Sequence, residues 1–339
     1  MNRPILSIIL PIYNAEEYLE ECLESVIKLH DYNYELVVID DGSTDNSADI
    51  VKNYIDEGNN IRLFSKENSG PSDSRNLGII NSKGEYITFL DADDYYIYPE
   101  CLFDIISQMK KDDCQIGCFN FNRVDNNGKK PEKYTSTSAE KFAVRMLSDK
   151  VITAKGIEFS NGIGVTLWNK IFKSNLFDRV KFPKGIQLMD DLKVCYDAAA
   201  ISNKVLLCDG VIYYYRKHYG SITLSGFSAK NYDLVNVPEA VMKETEERYG
   251  KLSERMKPGL AVIYLSFINR LYSSKNRDKE YEKKIKKYIL SNFKIIVLSK
   301  DITLFHKFAL LAYGLLPAMY RIMMQCGFKN IMKLRYRKG

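Results

Sequence analysis

Leu6 to Ile12 reads LSIILPI, and this near-continuous apolar run restricts the fold more than any other stretch of the chain. A strand without a polar side must be buried on both faces, which happens when helices cover the two sides of a largely parallel sheet. The next residues supply such a cover. Asn14 reads as an N-cap, and residues 16–29 place Leu19, Leu23, Val26 and Ile27 on one helical face. The alternation then repeats: strands are expected at 35–39, 61–64, 86–90 and 115–121, a helix at 47–54, a loop and helix at 70–81 and a helix at 102–109. An open α/β sheet follows, and in such sheets ligands bind beyond the carboxyl ends of the strands. The polar clusters fall there: Asn14, Asp40 to Asp45 and Asp91 to Asp94.

The rest of the chain is less regular. Residues 122–150 begin as a polar, Gly/Asn/Lys-rich loop and lead to a helix near 139–147. Over 151–224 an aromatic and basic segment (167–177) precedes a helix at about 190–200 and strands near Val205 and at 211–216, and from about 229 the pattern is helical. The expected organisation is an α/β domain over 1–224, in two parts at about 1–120 and 121–224. A helical C-terminal region with a basic tail then spans 225–339. Charge divides at the same place. Residues 1–224 carry 26 Lys and Arg against 33 Asp and Glu, whereas 225–339 carry 23 against 10, giving nets of −7 and +13. Nucleic-acid binders line their site with positive charge, so none is expected as a partner. The asymmetry suits a catalytic domain followed by a segment that meets an anionic surface.

Several chemistries lack their residues. The first strand runs into Pro11-Ile12-Tyr13-Asn14, not G-x-G-x-x-G, and no G-x-x-x-x-G-K-[ST] occurs. Three scattered histidines, His30, His218 and His306, give little footing to zinc or Ser-His-Asp hydrolysis. Seven cysteines, an odd number dispersed through apolar stretches, read as reduced thiols. The most apolar stretch, 308–320, is 13 residues long, short of the roughly 18 that a membrane span needs. The N-terminal stretch has no small-x-small cleavage site, so a cytoplasmic protein is expected.

Asp91-Ala92-Asp93 places two carboxylates on a short turn after a buried strand, spaced so that both can face one divalent cation, and Asp40-Asp41 ends a neighbouring strand. A single acidic turn would be read as helix capping. Two such clusters on one sheet point to function, because repulsion between grouped carboxylates needs an offsetting cation or donor.

The strings SIILPIYN, LVVIDDGSTDNS, NSGPSDSRNLGI and GEYITFLDADD, in order over about residues 5–120, resemble the N-terminal half of a family 2 glycosyltransferase with the GT-A fold. The similarity continues more loosely through TLWNKIFKSNLF, MDDLKVCYDAAAISNKV and IYYYRKHYGSIT. It implies a Rossmann-like mixed sheet flanked by helices, with a helical C-terminal region. It also implies an inverting, metal-dependent transfer of a hexosyl or N-acetylhexosaminyl group from a nucleoside diphosphate, UDP foremost, to an acceptor hydroxyl in polysaccharide biosynthesis. By the same resemblance Pro11, Tyr13 and Asn14 line the base site, Tyr13 offering a stacking face. Asp41 reads the base edge, Arg75 lies near base and phosphates, Asp91 and Ala92 near the ribose and donor sugar. Asp93 holds Mn²⁺ or Mg²⁺ on the diphosphate. Asp191 stands at the position of the catalytic base, and Asp190 replaces the usual Glu beside it, where it orients the acceptor.

Other features keep two readings each. Trp168 is a sugar platform or a core aromatic. Arg216, His218 and the turn at 220–223 form a lid or an ordinary loop. The apolar residues Phe305, Phe308, Leu311 and Leu315, ahead of the basic residues Lys329 to Lys338, suit in-plane attachment to the anionic inner face of the cell membrane. The other reading is packing on the protein or in a homodimer. The acceptor is expected to be a glycan or lipid-linked glycan. The competing functional reading is a catalytically idle family member acting as a scaffold in a membrane glycan-assembly complex.

Overall fold

β1 (Leu6–Ile12) lies inside a nine-stranded mixed sheet, between two parallel neighbours, with every residue but Pro11 buried. The computed structural model describes residues 3–123, 127–147, 164–216 and 227–325. β2 (Tyr34–Asp40) pairs with β1 in register Leu6↔Tyr34, β3 (Ile61–Ser65) lies outside β2, and β4 (Tyr86–Phe89) flanks β1 on its other side. Crossovers through α1 (Leu19–Ile27), α2 (Ser47–Asp56) and α3 (Pro71–Asn81) keep these four strands parallel. Beyond β4 the sheet turns mixed. β5 (Tyr95–Tyr96), α4 (Cys101–Asp112), β6 (Ile116–Asn122), β7 (Tyr134–Ser138), α5 (Ala139–Arg145), β8 (Lys170–Lys173), α6 (Asp190–Ala200) and β9 (Lys204–Tyr214) follow. β8 inserts antiparallel between β4 and β6, β9 runs parallel to β6, and β5 and β7 pair antiparallel with β9. The architecture is the expected GT-A arrangement.

The differences from expectation are local and have reasons. The first helix begins at Leu19, because Ala15 to Tyr18 close a turn in which Tyr18 N–H and Leu19 N–H both donate to Ala15 O. Asn14 is not its N-cap; it holds a left-handed φ of 47° and bonds across to the next loop. The two strands expected near Val205 and at 211–216 are one long strand, β9, whose register against β6 shifts between Cys118 and Asn120. The polar loop expected after 122 contains β7, and the aromatic segment at 167–177 contains β8. The six cysteines of the described residues are all free and buried, which fits core thiols.

The chain divides into two compact units: Met1–Ala143 with Asn161–Lys217, and Val144–Ser160 with His218–Gly339. The first holds the sheet. In the second, α7 (Asp233–Tyr249), α8 (Lys257–Ser273), α9 (Lys279–Ser291), α10 (Phe293–Leu298), α11 (Leu304–Leu315) and α12 (Pro317–Gln325) follow one another. α8 is buried nearly all round, through Leu260, Tyr264, Phe267, Ile268 and Leu271 among others, as a central helix must be. Caps set the later helices: Asp278 accepts from Glu280 N–H and Tyr281 N–H, and Thr303 from His306 N–H. Among the described residues no helix is long and apolar enough to cross a membrane.

Candidate active site

The carboxyl ends of β1 and β2 are tied loop to loop. The β1–β4 ladder stops at Ile9↔Phe89, so Pro11 lies beyond it, where a missing N–H loses no bond to β4. Tyr13, just past β1, is 52% exposed. Asn14 N–H donates to Ser43 Oγ at 3.1 Å, and Asn14 Oδ1 accepts from Thr44 N–H at 2.8 Å. Asp40 and Asp41 are both buried, yet each is satisfied: Asp40 accepts from Ser43 N–H at 2.9 Å. Asp41 accepts from Ser69 N–H at 3.0 Å, from Gly70 N–H at 2.8 Å and from the Lys66 ammonium. The residue expected at a base edge therefore also fixes the loop that starts α3. Gly70 precedes Pro71 with φ 95° and ψ 168°, a conformation that favours glycine.

α3 lies so close to β1 that a Cβ on Gly78 would stand 2.4 Å from Ile9 Cγ2. This approach carries Arg75, three residues earlier, into the interior. Its guanidinium donates to Asp91 Oδ1 at 3.1 Å and to Asp190 Oδ2 at 3.3 Å, pairs with Asp191 Oδ1 at 3.6 Å, and lies over the Phe182 ring. Asp190 also accepts from Ser72 Oγ at 2.7 Å. One buried cation thus joins the acidic turn after β4 to the Asp-Asp start of α6. Burial works against the Arg75 charge, but Asp191, Asp91 and Asp190 more than offset it, so its pKa is raised. Burial pushes the Asp91 carboxyl up; Arg75 opposes this and Asp93 adds to it. At Asp191 burial is again the largest cause, opposed by Arg75 and reinforced by Asp190 and Asp91, and the carboxyl is held at about 7. Asp191 also accepts from Leu167 N–H at 3.4 Å. Met189, ahead of α6, takes a left-handed φ of 67°, the kind of backbone strain that clusters at functional sites.

The acidic turn is clasped from the far end of β9. Tyr213 OH donates to Asp94 Oδ2 at 2.8 Å and accepts from Asp91 N–H at 3.4 Å. Arg216 N–H donates to Asp94 Oδ1 at 2.7 Å, and its Nε to the Asp93 carbonyl at 2.9 Å. The Arg216 guanidinium also pairs with Glu21 and lies over Tyr18 and Tyr95. Asp94 is almost fully buried, and burial pushes its carboxyl well up, with Asp93 and Asp91 adding to the effect. Ala92 sits at the partly exposed tip of this turn. For a divalent cation the turn offers hard carboxylate oxygens at Asp91, Asp93 and Asp94. Among the described residues no three His, Cys, Asp or Glu side chains converge as a metal cage. That donor set matches sites where one or two carboxylates share the cation with substrate phosphates.

The structure thus gathers Arg75, Asp91, Asp190 and Asp191 into one network, and Asp93 and Arg216 into the adjoining turn. Trp168 is only 3% exposed: it stacks on Tyr213 at 4.6 Å and on Tyr215 at 5.4 Å, with Phe121 edge-on. This makes it a core aromatic behind the clasp and leaves little surface for a sugar. His218 and the turn at 220–223 lie outside the described residues. Ser72, Asp94, Tyr213 and Glu21 were not singled out from sequence. Asp94 carries a visible signal as the third acid of Asp91-Ala92-Asp93-Asp94; the others carry none without the fold.

Known proteins resemble the chain in sequence and in fold. The family model described as "Glycosyl transferase family 2" matches residues 7–176. "Glycosyltransferase GlyG" of Streptococcus pneumoniae serotype 4 is 30% identical over 278 residues, covering 79% of this chain and 86% of its own. "Poly(ribitol-phosphate) beta-glucosyltransferase" of Bacillus spizizenii is 28% identical over 216 residues, covering 62% of this chain and 32% of its own, so the chain spans about a third of that relative. Among solved structures, S. aureus TarS 1-349 in complex with UDP-GlcNAc superposes with a TM-score of 0.62 at 20% identity, covering 96% of this chain and 91% of that one.

Proposed function

The chain belongs to glycosyl transferase family 2, and from that premise we propose that it moves a hexosyl or N-acetylhexosaminyl group from a UDP-sugar to an acceptor hydroxyl, with inversion at the anomeric carbon. The observation that carries the proposal is the Arg75 network, which sets the donor-side turn and a tuned carboxylate on one cation. Asp191 takes the acceptor proton as the hydroxyl oxygen attacks opposite the departing diphosphate. A carboxyl held at about 7 suits that role, because a general base works best with a pKa near the operating pH. Asp190, fixed by Ser72 and Arg75, orients the acceptor beside it. Tyr13, with half its surface open, stacks on the uracil; Pro11, Asn14 and Asp41 shape its surroundings. Asp91 meets the ribose and donor sugar. Asp93 would hold Mn²⁺ or Mg²⁺, which when bound supplies charge neutralisation at the diphosphate. UDP-GlcNAc bound by TarS and the polymer named for the Bacillus relative support a UDP-sugar and a polysaccharide or lipid-linked glycan acceptor. The basic helical region supports a place at the inner face of the cell membrane.

The test is a thermal-shift titration with UDP, GDP, CDP and dTDP, each with Mn²⁺ and with EDTA, on wild type and Asp93→Ala. A ligand at 100 times its Kd adds about 2.7 kcal/mol, a visible shift in melting. UDP alone should shift the wild type, more strongly with Mn²⁺, and Asp93→Ala should lose the metal increment. If no nucleotide moves the melt under any condition, the donor site proposed here is wrong.

A further inference from the structure

The helical unit carries an apolar row that its own core does not use. α11 buries Leu310 and Tyr313 but turns Leu304, Phe308 and Leu315 outward, each more than 60% exposed. At 3.6 residues per turn these three fall within about 40° of one another on the helix. After the break at Leu316, that residue and Met319 and Ile322 of α12 are each at least half exposed, and three more apolar side chains are exposed over 290–298. Exposed apolar surface on this scale marks an interaction site.

Charge decides what the site fits. Residues 283–325 hold 8 Lys and Arg and a single acidic residue, Asp301. Lys294 and Lys300 are exposed within the same stretch as the apolar row. A second copy of this chain would bring the same positive charge against it, and like charges across an interface oppose association. The row cannot span a bilayer: α11 has 12 residues, about 18 Å of helix against a hydrocarbon core of about 30 Å. Its geometry is that of a helix lying in the interface plane, apolar side down and cationic side chains among the headgroups.

We propose that the α11–α12 face docks in-plane on an anionic lipid bilayer, with Leu304, Phe308, Leu315 and Met319 at the boundary between headgroups and acyl chains. Lys294 and Lys300, with the other basic side chains of residues 283–325, meet the anionic headgroups. The inference stands on the helical unit alone and needs no nucleotide chemistry, so it survives or fails apart from the transferase reading.

The test is co-sedimentation of the full chain with phosphatidylglycerol-rich vesicles and with pure phosphatidylcholine vesicles, no nucleotide present, alongside light scattering without lipid. The expected result is binding to anionic vesicles about tenfold or more above neutral ones. That preference should collapse at about 1 M salt, where the Debye length is about 3 Å. Leu304→Ser/Phe308→Ser/Leu315→Ser should lose binding while keeping the wild-type far-UV spectrum. Lys294→Glu/Lys300→Glu, which leaves the apolar row intact, should weaken it several-fold. No binding to anionic vesicles, equal binding to both lipids, or undiminished binding by the triple serine variant would each overturn the proposal. So would a wild-type dimer in solution that the triple variant converts to monomer, since the face would then belong to a second copy.

Discussion

The two units depart from the usual partition of side chains in opposite directions. The α/β unit takes charge inside: Arg75, Asp41, Asp94 and Asp190 are all buried and all paired. The helical unit puts apolar side chains outside, on α11 and α12. Each departure costs stability in the isolated chain, the first through desolvation of ions and the second through hydrated hydrocarbon. Buried, mutually perturbed charges mark a place where a polar ligand or a proton is handled, and an open apolar row marks a place where water is to be displaced. On the two proposals above, one unit serves chemistry and the other a surface.

The largest effects should come from breaking the buried charge. Asp191→Asn should lower kcat by about 10²–10⁴-fold with little change in donor affinity, read by UDP release once an acceptor is in hand. In the wild type kcat/KM should fall on the acid side of about pH 7, as Asp191 takes up a proton. Stability should move the other way. A carboxyl raised from about 4 unfolded to about 7 folded favours the fold fully below pH 4, and this contribution is lost as pH rises to 7. Asp191→Asn should therefore match wild type at low pH and exceed it by about 1–3 kcal/mol at pH 8. An Asn variant no more stable than wild type at pH 8 would mean that Asp191 is not strained by burial.

Arg75→Ala comes next. It leaves Asp91, Asp190 and Asp191 without their shared cation, and breaking a buried ion pair from one side costs about 3–5 kcal/mol. Urea unfolding followed by Trp168, the sole tryptophan and a buried member of this unit, reads the loss directly. The deficit should shrink toward acid pH, where Asp191, and Asp91 with its raised carboxyl, take up protons and no longer need the cation. A deficit under 1 kcal/mol at pH 7.5 would say that the network is solvated and that the contrast between the units is weaker than drawn.

How much of this was legible depends on how far apart the partners lie in the chain. The donor half could be read because each strand ends in its own polar cluster: Asn14 follows β1, Asp40-Asp41 closes β2, and Asp91 to Asp94 follow β4. Local pattern places all three at one sheet edge. The Arg75 network could not be read that way, since Arg75 and Asp190 are 115 residues apart and Ser72 and Asp190 are 118. Only the packing of α3 against β1 and the turn at Met189 bring them together. β8 was missed because four residues, Lys170–Lys173, form a strand only through neighbours on both sides, β4 and β6. In the helical unit the helices were legible, but which face of α11 packs and which stays open was not. Periodicity gives the stripes and not their partners.

A smaller effect separates the turn from the core beneath it. Tyr213→Phe removes the hydroxyl that bonds Asp94 and Asp91, and should cost about 1–2 kcal/mol of stability. It should also weaken UDP binding with Mn²⁺ about tenfold, equivalent to about 1.4 kcal/mol, while metal-free binding barely changes. Tyr96→Phe is the control, since that buried hydroxyl lies near Thr88 and the Phe89 carbonyl instead of the turn. Equal behaviour of the two variants would demote Tyr213 from positioning the turn to filling the core.

The smallest expected effect is the most direct check on the helical side of the contrast, because it compares two leucines on one helix. Leu310 is 1% exposed and Leu304 68% exposed, six residues apart on α11. Leu304→Ser removes hydrocarbon that already faces water in the isolated chain, so lipid-free unfolding should change by no more than about 0.5 kcal/mol. Leu310→Ala, by contrast, opens a cavity and should cost several times more. Adding anionic vesicles should widen the gap between wild type and Leu304→Ser, since only the wild type keeps the whole row for the bilayer. A Leu304→Ser loss in lipid-free buffer as large as that of Leu310→Ala would mean that this face is already covered in solution. The helical unit would then follow the ordinary partition of side chains, and only the α/β unit would depart from it.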